Sequence, residues 1–152
     1  MATDLPHTAA GARPRVLVCD DSSFMRRLLT QALREQGFDV VGEAADGDEA
    51  LKLHTELRPD AMTLDLAMPG LDGIGVLRRL RGDGAALPVV VVSAFSPLHG
   101  ARAVDALAEG AFDLAAKPQI GEPFADFART LGEKLRAAAA SAKPAAAPAP
   151  AA

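Results

Sequence analysis

Five polar side chains stand at the ends of apolar runs in this sequence. Asp20 and Asp21 follow the run RVLVC, Asp65 ends DAMTLD, Ser93 ends LPVVVVS, and Lys117 follows FDLAA. Three carboxylates placed together repel one another strongly unless a cation lies among them. Oxygen ligands favour a hard ion, and Mg²⁺ commonly takes one or two carboxylates together with phosphate oxygens. If folding brings these runs together, the carboxylates form a candidate magnesium site.

The same side chains have the chemistry needed to receive a phosphoryl group. A carboxylate can attack phosphorus and form an acyl phosphate. A metal ion and the ammonium group of Lys117 would neutralise the charge on the transferring phosphoryl oxygens. The hydroxyl of Ser93 could donate a hydrogen bond to one of those oxygens. The set therefore predicts phosphoryl transfer onto an aspartate.

Alternating strand and helix patterns must position these side chains. Short apolar runs predict strands at residues 15–20, 38–42, 60–65, 87–93 and 112–116. Helical spacing and capping residues predict helices from Ser22 or Ser23 to Gly37 and at residues 46–57, 74–81, 97–109 and 122–136. Five repeats of strand and helix imply an α/β fold, a doubly wound parallel sheet with helices on both faces. Functional groups gather at the carboxyl ends of such strands, where the five polar side chains lie.

The helical patterns also predict which side chains face inward and which face solvent. The apolar face of the first helix is predicted to consist of Phe24, Leu28, Ala32 and Leu33. Asp72 is expected to cap the third helix. The arginine pair Arg26 and Arg27 is expected to lie on a solvated helix face.

The composition excludes several classes of protein. Lys and Arg number 16 and Asp and Glu number 20, so the formal net charge of −4 argues against a nucleic-acid-binding surface. The single cysteine, Cys19, excludes an internal disulfide framework and suits a reducing cytoplasm. Residues 1–15 contain no apolar signal-peptide core, and no run approaches the ~18 apolar residues of a membrane span. A cytoplasmic protein without membrane insertion is expected.

The 152 residues suit one domain with short terminal segments. Residues 1–13 lack core-forming side chains and are expected to be flexible. Residues 137–152 contain 11 Ala and 3 Pro and no large apolar side chain, which predicts a linker or tail in an extended, non-helical conformation. The folded domain is therefore predicted to span residues 14–136.

Four motifs make the chain similar to the response-regulator receiver family. These are VCDDS at residues 18–22, LDLAMPGLDG at 64–73, VVSA at 91–94 and AKP at 116–118. They occur in the family's order and at its spacing, over about residues 14–136. The resemblance implies a flavodoxin-like sheet of order 2-1-3-4-5 with five helices. The stretches DDSSFMRRLL, TLDLAMPGLDG and GAFDLAAKPQIG are more narrowly similar to the receiver half of chemotaxis protein-glutamate methylesterases.

The resemblance also implies a role for each acidic residue of the site. Asp65 matches the phospho-acceptor of the family. Asp21 matches a direct Mg²⁺ ligand, and Asp20 matches a carboxylate that acts on the metal through water. The backbone carbonyl of Ala67 would complete the protein ligands of the ion.

The conformational switch of the family is matched by Ser93 and Lys117. Ser93 resembles the switch hydroxyl, and Lys117 resembles the lysine that pairs with the acceptor or the phosphoryl group. Leu114 stands where relatives often carry an aromatic residue that couples phosphorylation to the output face. The aromatic part of the switch is therefore absent at this position, and aliphatic repacking around Leu114 is expected to replace it.

The resulting hypothesis is a phospho-accepting regulator of two-component, chemotaxis-type signalling. A histidine kinase would supply the phosphoryl group, and a downstream protein or a covalently linked domain would respond to it. No G-x-S-x-G nucleophile motif occurs in the 152 residues, so the chain is expected not to be an enzyme. Three alternatives stay open: the receiver half of a methylesterase whose catalytic domain is absent from this chain, a Mg²⁺-dependent phosphatase working through an aspartyl phosphate, and a pseudo-receiver that only binds partners.

Overall fold

Five strands alternate with five helices along the described part of the chain. The computed structural model describes residues 13–94 and 97–146. The strands are β1 (Arg15–Cys19), β2 (Asp39–Ala44), β3 (Ala61–Asp65), β4 (Val89–Ser93) and β5 (Asp113–Ala116). The helices are α1 (Ser23–Glu35), α2 (Gly47–Leu57), α3 (Gly73–Gly82), α4 (Pro97–Ala108) and α5 (Phe124–Ala146).

The strands form one parallel sheet in the order β2-β1-β3-β4-β5, which confirms the predicted doubly wound fold. Because successive side chains of a strand point to opposite faces, the sheet divides the interior into two cores. Val16 and Val18 of β1 join a core covered by α1 and α5. Leu17 and Cys19 join a second core covered by α2, α3 and α4. Because all five strands are parallel, their carboxyl ends meet at one edge of the sheet.

The predicted buried face of α1 is confirmed at Leu33 and wrong at Phe24. Leu33 is fully buried, but Phe24 is 66% exposed, and the buried face continues instead through Leu29 and Met25, which packs against the same core. Residues 24, 28 and 32 and residues 25, 29 and 33 have the same helical spacing, so periodicity alone does not separate the two stripes. The second stripe carries a large apolar side chain at every position and therefore removes more apolar surface from water.

Helix α5 continues for ten residues beyond the predicted domain end at Arg136, so residues 137–146 are not the extended linker expected from their composition. Ala138 is fully buried and Ala139 is 5% exposed, and both pack in the core that contains Phe38 and Val40. Alanine has the highest helix propensity and loses no side-chain entropy, so this run can remain helical and pack closely.

The terminal predictions are only partly covered by the structure. The expectations for residues 1–12 and 147–152 lie outside the described residues. Within the ranges that are described, no helix combines the length and the apolar character needed to cross a membrane.

Candidate functional site

Three carboxylates meet at the ends of the neighbouring strands β1 and β3. Cys19 pairs with Leu64 across these strands, so Asp20 and Asp65 follow at the same level of the sheet. Carboxylate oxygens of Asp20, Asp21 and Asp65 all lie within 4.8 Å of one another. Asp20 and Asp65 are buried, whereas Asp21 is exposed to solvent. The structure thus brings together the three acids selected from the sequence.

Asp20 is anchored on one side and unsatisfied on the other. Its backbone N–H donates to the carbonyl of Ala44 at 3.0 Å, and its Oδ1 accepts the N–H of Ser22 at 2.9 Å. Its Oδ2 is buried without a hydrogen-bond partner among the described residues. The ammonium group of Lys117 lies 3.6 Å from this oxygen, which is ion-pair range but too far for a hydrogen bond, and its single charge does not balance three clustered carboxylates. The oxygen donor set and its excess negative charge fit a hard divalent ion.

Asp65 combines burial with a single strong partner. Lys117 Nζ lies 3.4 Å from its Oδ2, and the N–H of Ala67 donates to its Oδ1 at 3.2 Å. Burial raises the pKa of the Asp65 carboxyl, Lys117 and the Ala67 N–H lower it, and Asp20 raises it; the net shift is upward. The carboxyl is thus destabilised in its charged form when no other cation is present.

Lys117 reaches the acids from the end of the edge strand β5. It follows β5, and β4 lies between β5 and β3, so its side chain passes over one whole strand. Its Nζ lies 3.4 Å from Asp65 and 3.6 Å from Asp20, and it is the cation that pairs with both buried acids. Its backbone N–H donates to the carbonyl of Ser93 at 2.9 Å, which fixes the start of the side chain.

Ser93 and Leu114 lie on β4 and β5, the two strands that follow β3 across the sheet. Ser93 ends β4 and is 7% exposed, and its Oγ donates a long 3.4 Å hydrogen bond to the carbonyl of Ala94. The hydroxyl is therefore weakly held. Leu114 is half-buried and packs against the core covered by α2, α3 and α4. Its aliphatic side chain lies at the position where members of the receiver family often carry an aromatic residue.

The loop after β3 is held tightly against the strand that carries Asp65. The N–H of Gly73 donates to the carbonyl of Leu66 at 3.1 Å, and a Cβ on Gly73 would lie 2.8 Å from the carbonyl oxygen of Asp65. Glycine is required here by the close approach of two backbones. Asp72 caps α3 by accepting the N–H of Gly75 at 2.9 Å, which agrees with the sequence expectation.

Sequence reasoning missed the contacts of two arginines. Arg102 of α4 forms a 2.7 Å ion pair with Asp72, and this contact has no signal in the sequence. Arg26, expected on a solvated face, has a side chain that is only 18% exposed and donates to the backbone carbonyl of Asp20. Its position one helical turn after the cap residue Ser22 is the signal that could have placed it near the site.

The raised pKa of Asp65 predicts that this carboxyl destabilises the metal-free fold at neutral pH. A folded state that binds the proton more tightly than the unfolded state loses stability as pH rises from the ordinary carboxyl pKa to the raised value. In metal-free buffer, Asp65→Asn should therefore raise the midpoint of thermal unfolding at pH 7, and the difference should shrink below about pH 4. A pH series of thermal melts measures this. An equal difference at every pH would contradict it.

Comparisons with known proteins point in one direction. A family model described as response regulator receiver domain matches residues 16–124. Protein-glutamate methylesterase/protein-glutamine glutaminase 5 of Myxococcus xanthus is 48% identical over 142 residues, covering 90% of this chain and 40% of that protein. The corresponding protein 2 of Koribacter versatilis is 44% identical over 133 residues, covering 86% of this chain and 36% of that protein. The chain thus spans about two fifths of the length of these curated relatives or less.

Solved structures give the same picture. The response regulator domain of Thermotoga maritima CheB is 39% identical with a TM-score of 0.76, covering 84% of this chain and 97% of that chain. In the CheX-CheY-BeF3-Mg²⁺ complex from Borrelia burgdorferi, the matching chain is 31% identical with a TM-score of 0.66, covering 81% of this chain and 87% of that chain.

Proposed function

Because the chain belongs to the response regulator receiver domain family, we propose that Asp65 accepts a phosphoryl group and that the modified domain signals to an output partner. The observation that carries the proposal is the environment of Asp65. Its carboxylate is buried, paired with Lys117 at 3.4 Å, and adjacent to a buried Asp20 oxygen that has no hydrogen bond among the described residues. Such a site needs additional positive charge and offers a nucleophilic carboxylate where that charge would bind.

The proposed reaction is transfer from the phosphohistidine of a histidine kinase. An oxygen of Asp65 attacks phosphorus, a phosphorus–oxygen bond forms, and the phosphorus–nitrogen bond breaks as the imidazole leaves and regains a proton. Lys117 stabilises negative charge on the phosphoryl oxygens. The weakly held hydroxyl of Ser93 is available to donate to one of them.

The residues proposed to hold Mg²⁺ are Asp20, Asp21 and Asp65, together with the carbonyl of Ala67. When bound, the ion would offset the charge of the carboxylates and of the incoming phosphoryl oxygens. Two observations support this assignment: the three carboxylates lie within 4.8 Å of one another, and the buried Oδ2 of Asp20 accepts no hydrogen bond from the described residues. The exposed position of Asp21 gives the ion access from solvent.

The output proposed for the domain is a chemotaxis response. The curated relatives are methylesterases, so the second candidate is that this domain regulates a methylesterase domain, whether linked or separate. Adding phosphorylated domain to a separately prepared methylesterase domain and measuring ester hydrolysis distinguishes this from a regulator that acts on another protein. A phosphatase would instead turn over a small phosphoester many times per chain.

Incubation with Mg²⁺ and a small phosphodonor should attach one phosphoryl group per chain, and Asp65→Asn should abolish the label. The amide is not a nucleophile towards phosphorus at neutral pH, although it has the size and shape of the carboxylate. Intact-mass spectrometry measures the addition. Labelling should also disappear when the divalent ion is removed with a chelator, because the carboxylate cluster then repels the donor.

A matched control for this experiment is Asp60→Asn. Asp60 stands at the other end of the same strand, and its Oδ2 accepts the N–H of Arg15 at 2.8 Å, which an amide oxygen can also do. This variant should be labelled like the wild-type chain. A label that persists on Asp65→Asn, or one that is lost equally from Asp60→Asn, would refute the assignment of Asp65 as the acceptor.

A further inference from the structure

Arg26 links the ends of two strands from within α1. Its Nη1 donates to the backbone carbonyl of Asp20 at 2.6 Å, and its Nε lies 3.4 Å from Oε1 of Glu43 in β2. Its own backbone N–H donates to the carbonyl of Ser22 at 2.9 Å, so the first turn of the helix fixes its base. The side chain is only 18% exposed, so most of it is covered by the protein and not by solvent.

The carbonyl that Arg26 binds belongs to the peptide group between Asp20 and Asp21. Rotation of this peptide plane turns the backbone of Asp21 and therefore moves its carboxylate. The bond from the N–H of Ser22 to Oδ1 of Asp20 also spans this peptide, whereas the carboxylate of Asp21 has no hydrogen bond or ion pair with any residue that the structure describes. The bond from Arg26 restrains the peptide directly at its carbonyl oxygen and so helps to orient Asp21 towards the other acids.

We propose that Arg26 is a positioning residue for divalent-cation binding, which it supports by fixing the Asp20–Asp21 peptide. The inference rests on the proposed function, because it assumes that the acidic cluster binds Mg²⁺. Arg26 itself need not touch the ion or the phosphoryl group. The planar guanidinium donates to the carbonyl through Nη1 while its Nε lies in ion-pair range of Glu43, a fixed geometry that a lysine ammonium does not reproduce.

Because Arg26 is positively charged, the direction of the change in Mg²⁺ affinity distinguishes a positioning role from an electrostatic one. A guanidinium close to a cation site repels Mg²⁺, so a purely electrostatic role predicts that its removal tightens binding. A positioning role predicts that the same substitution weakens binding. The two explanations therefore differ in direction and not merely in size.

The test is Mg²⁺ binding to the full chain, measured by isothermal titration calorimetry. Arg26→Met should weaken Mg²⁺ affinity by about tenfold, the scale usual for loss of a residue that orients a metal ligand. Arg26→Lys, which retains the charge, should also weaken it. The matched control is Arg27→Met, which removes an equal charge from the adjacent exposed position and should leave affinity unchanged or slightly higher. Thermal unfolding without metal shows whether each variant folds, and a merely structural role would lower that midpoint without changing the affinity of the folded chain.

Each outcome decides a specific claim. Wild-type affinity, or tighter binding, in folded Arg26→Met would overturn the positioning role while leaving the proposed function intact. Should Arg26→Met fail to fold, the Arg26→Lys variant decides the matter, and wild-type affinity in it would overturn the proposal. A wild-type chain that does not bind Mg²⁺ at all would refute the metal site and the inference together.

Discussion

Replacing Lys117 by methionine should slow phosphorylation of the domain by a small phosphodonor about 100- to 1000-fold. Lys117 Nζ is 3.4 Å from Asp65 and 3.6 Å from Asp20, and no other described cation pairs with either carboxylate. Methionine retains much of the length and apolar stem of lysine, so the substitution removes the charge with little change of volume. Negative charge on the transferring phosphoryl oxygens would then lack its protein counter-ion.

The same substitution should raise the pKa of the Asp65 carboxyl in the metal-free domain. Lys117 lowers the pKa of this carboxyl and so opposes the effect of burial. Without the ammonium group that pKa rises further. An NMR titration of the Asp65 carboxyl in metal-free buffer should show its midpoint displaced upward in Lys117→Met.

Lys134→Met is the control for this experiment. Lys134 pairs with Asp113 at 3.3 Å, so the substitution removes a partly exposed lysine from an ion pair away from the acids. Its phosphorylation rate, and the pKa of its Asp65 carboxyl in metal-free buffer, should match those of the wild-type chain. If Lys117→Met were phosphorylated within roughly twofold of the wild-type rate, electrostatic stabilisation by this lysine would be excluded.

Deleting residues 137–152 should destabilise the domain by about 2 kcal/mol or more, because the alanine run of α5 is part of the core. The deletion removes buried Ala138 and Ala139 and uncovers apolar surface in the core that contains Phe38 and Val40. It also removes the last turns of α5. Urea unfolding, with the slope checked for a two-state transition, measures the change in the free energy of unfolding.

Two controls separate packing from chain length. A chain ending at Ala146 keeps every described contact of α5 and should unfold like the full chain. In the full chain, Ala138→Asp should destabilise strongly, since it buries an unpaired charge, whereas Ala140→Asp lies on the exposed side of the same helix and should have little effect. Equal stability of the chain truncated after Arg136 would show that the alanine run behaves as the linker its composition suggests.

The order of elements and the meeting of the acids were predictable because both follow from short-range patterns. Apolar runs separated by helical spacing identify the five strands, and in a parallel sheet the residues after each strand must share one edge. Asp20, Asp65 and Lys117 therefore could be placed together without knowing any side-chain conformation.

The features that sequence reasoning missed depend on tertiary contacts. The inward face of α1 was decided by which of two equivalent stripes offers more apolar area to the sheet, so Leu29 rather than Phe24 is buried. The end of α5 depends on whether small side chains find a surface to pack against, which composition does not reveal. The role of Arg26 depends on a long side chain turning back to the end of β1.

The path of Lys117 across the sheet has a consequence for the edge strand β5. This strand is four residues long and, within the described part of the chain, pairs with β4 alone, so it belongs to the class of elements that open locally most easily. Lys117 connects β5 to Asp65, which ends a strand two places away, and to Asp20, which follows a strand three places away. Opening of the carboxyl end of β5 is therefore coupled to withdrawal of the ammonium group from the acids. A stronger attraction between Lys117 and the carboxylates should therefore also lower the frequency with which β5 separates from β4.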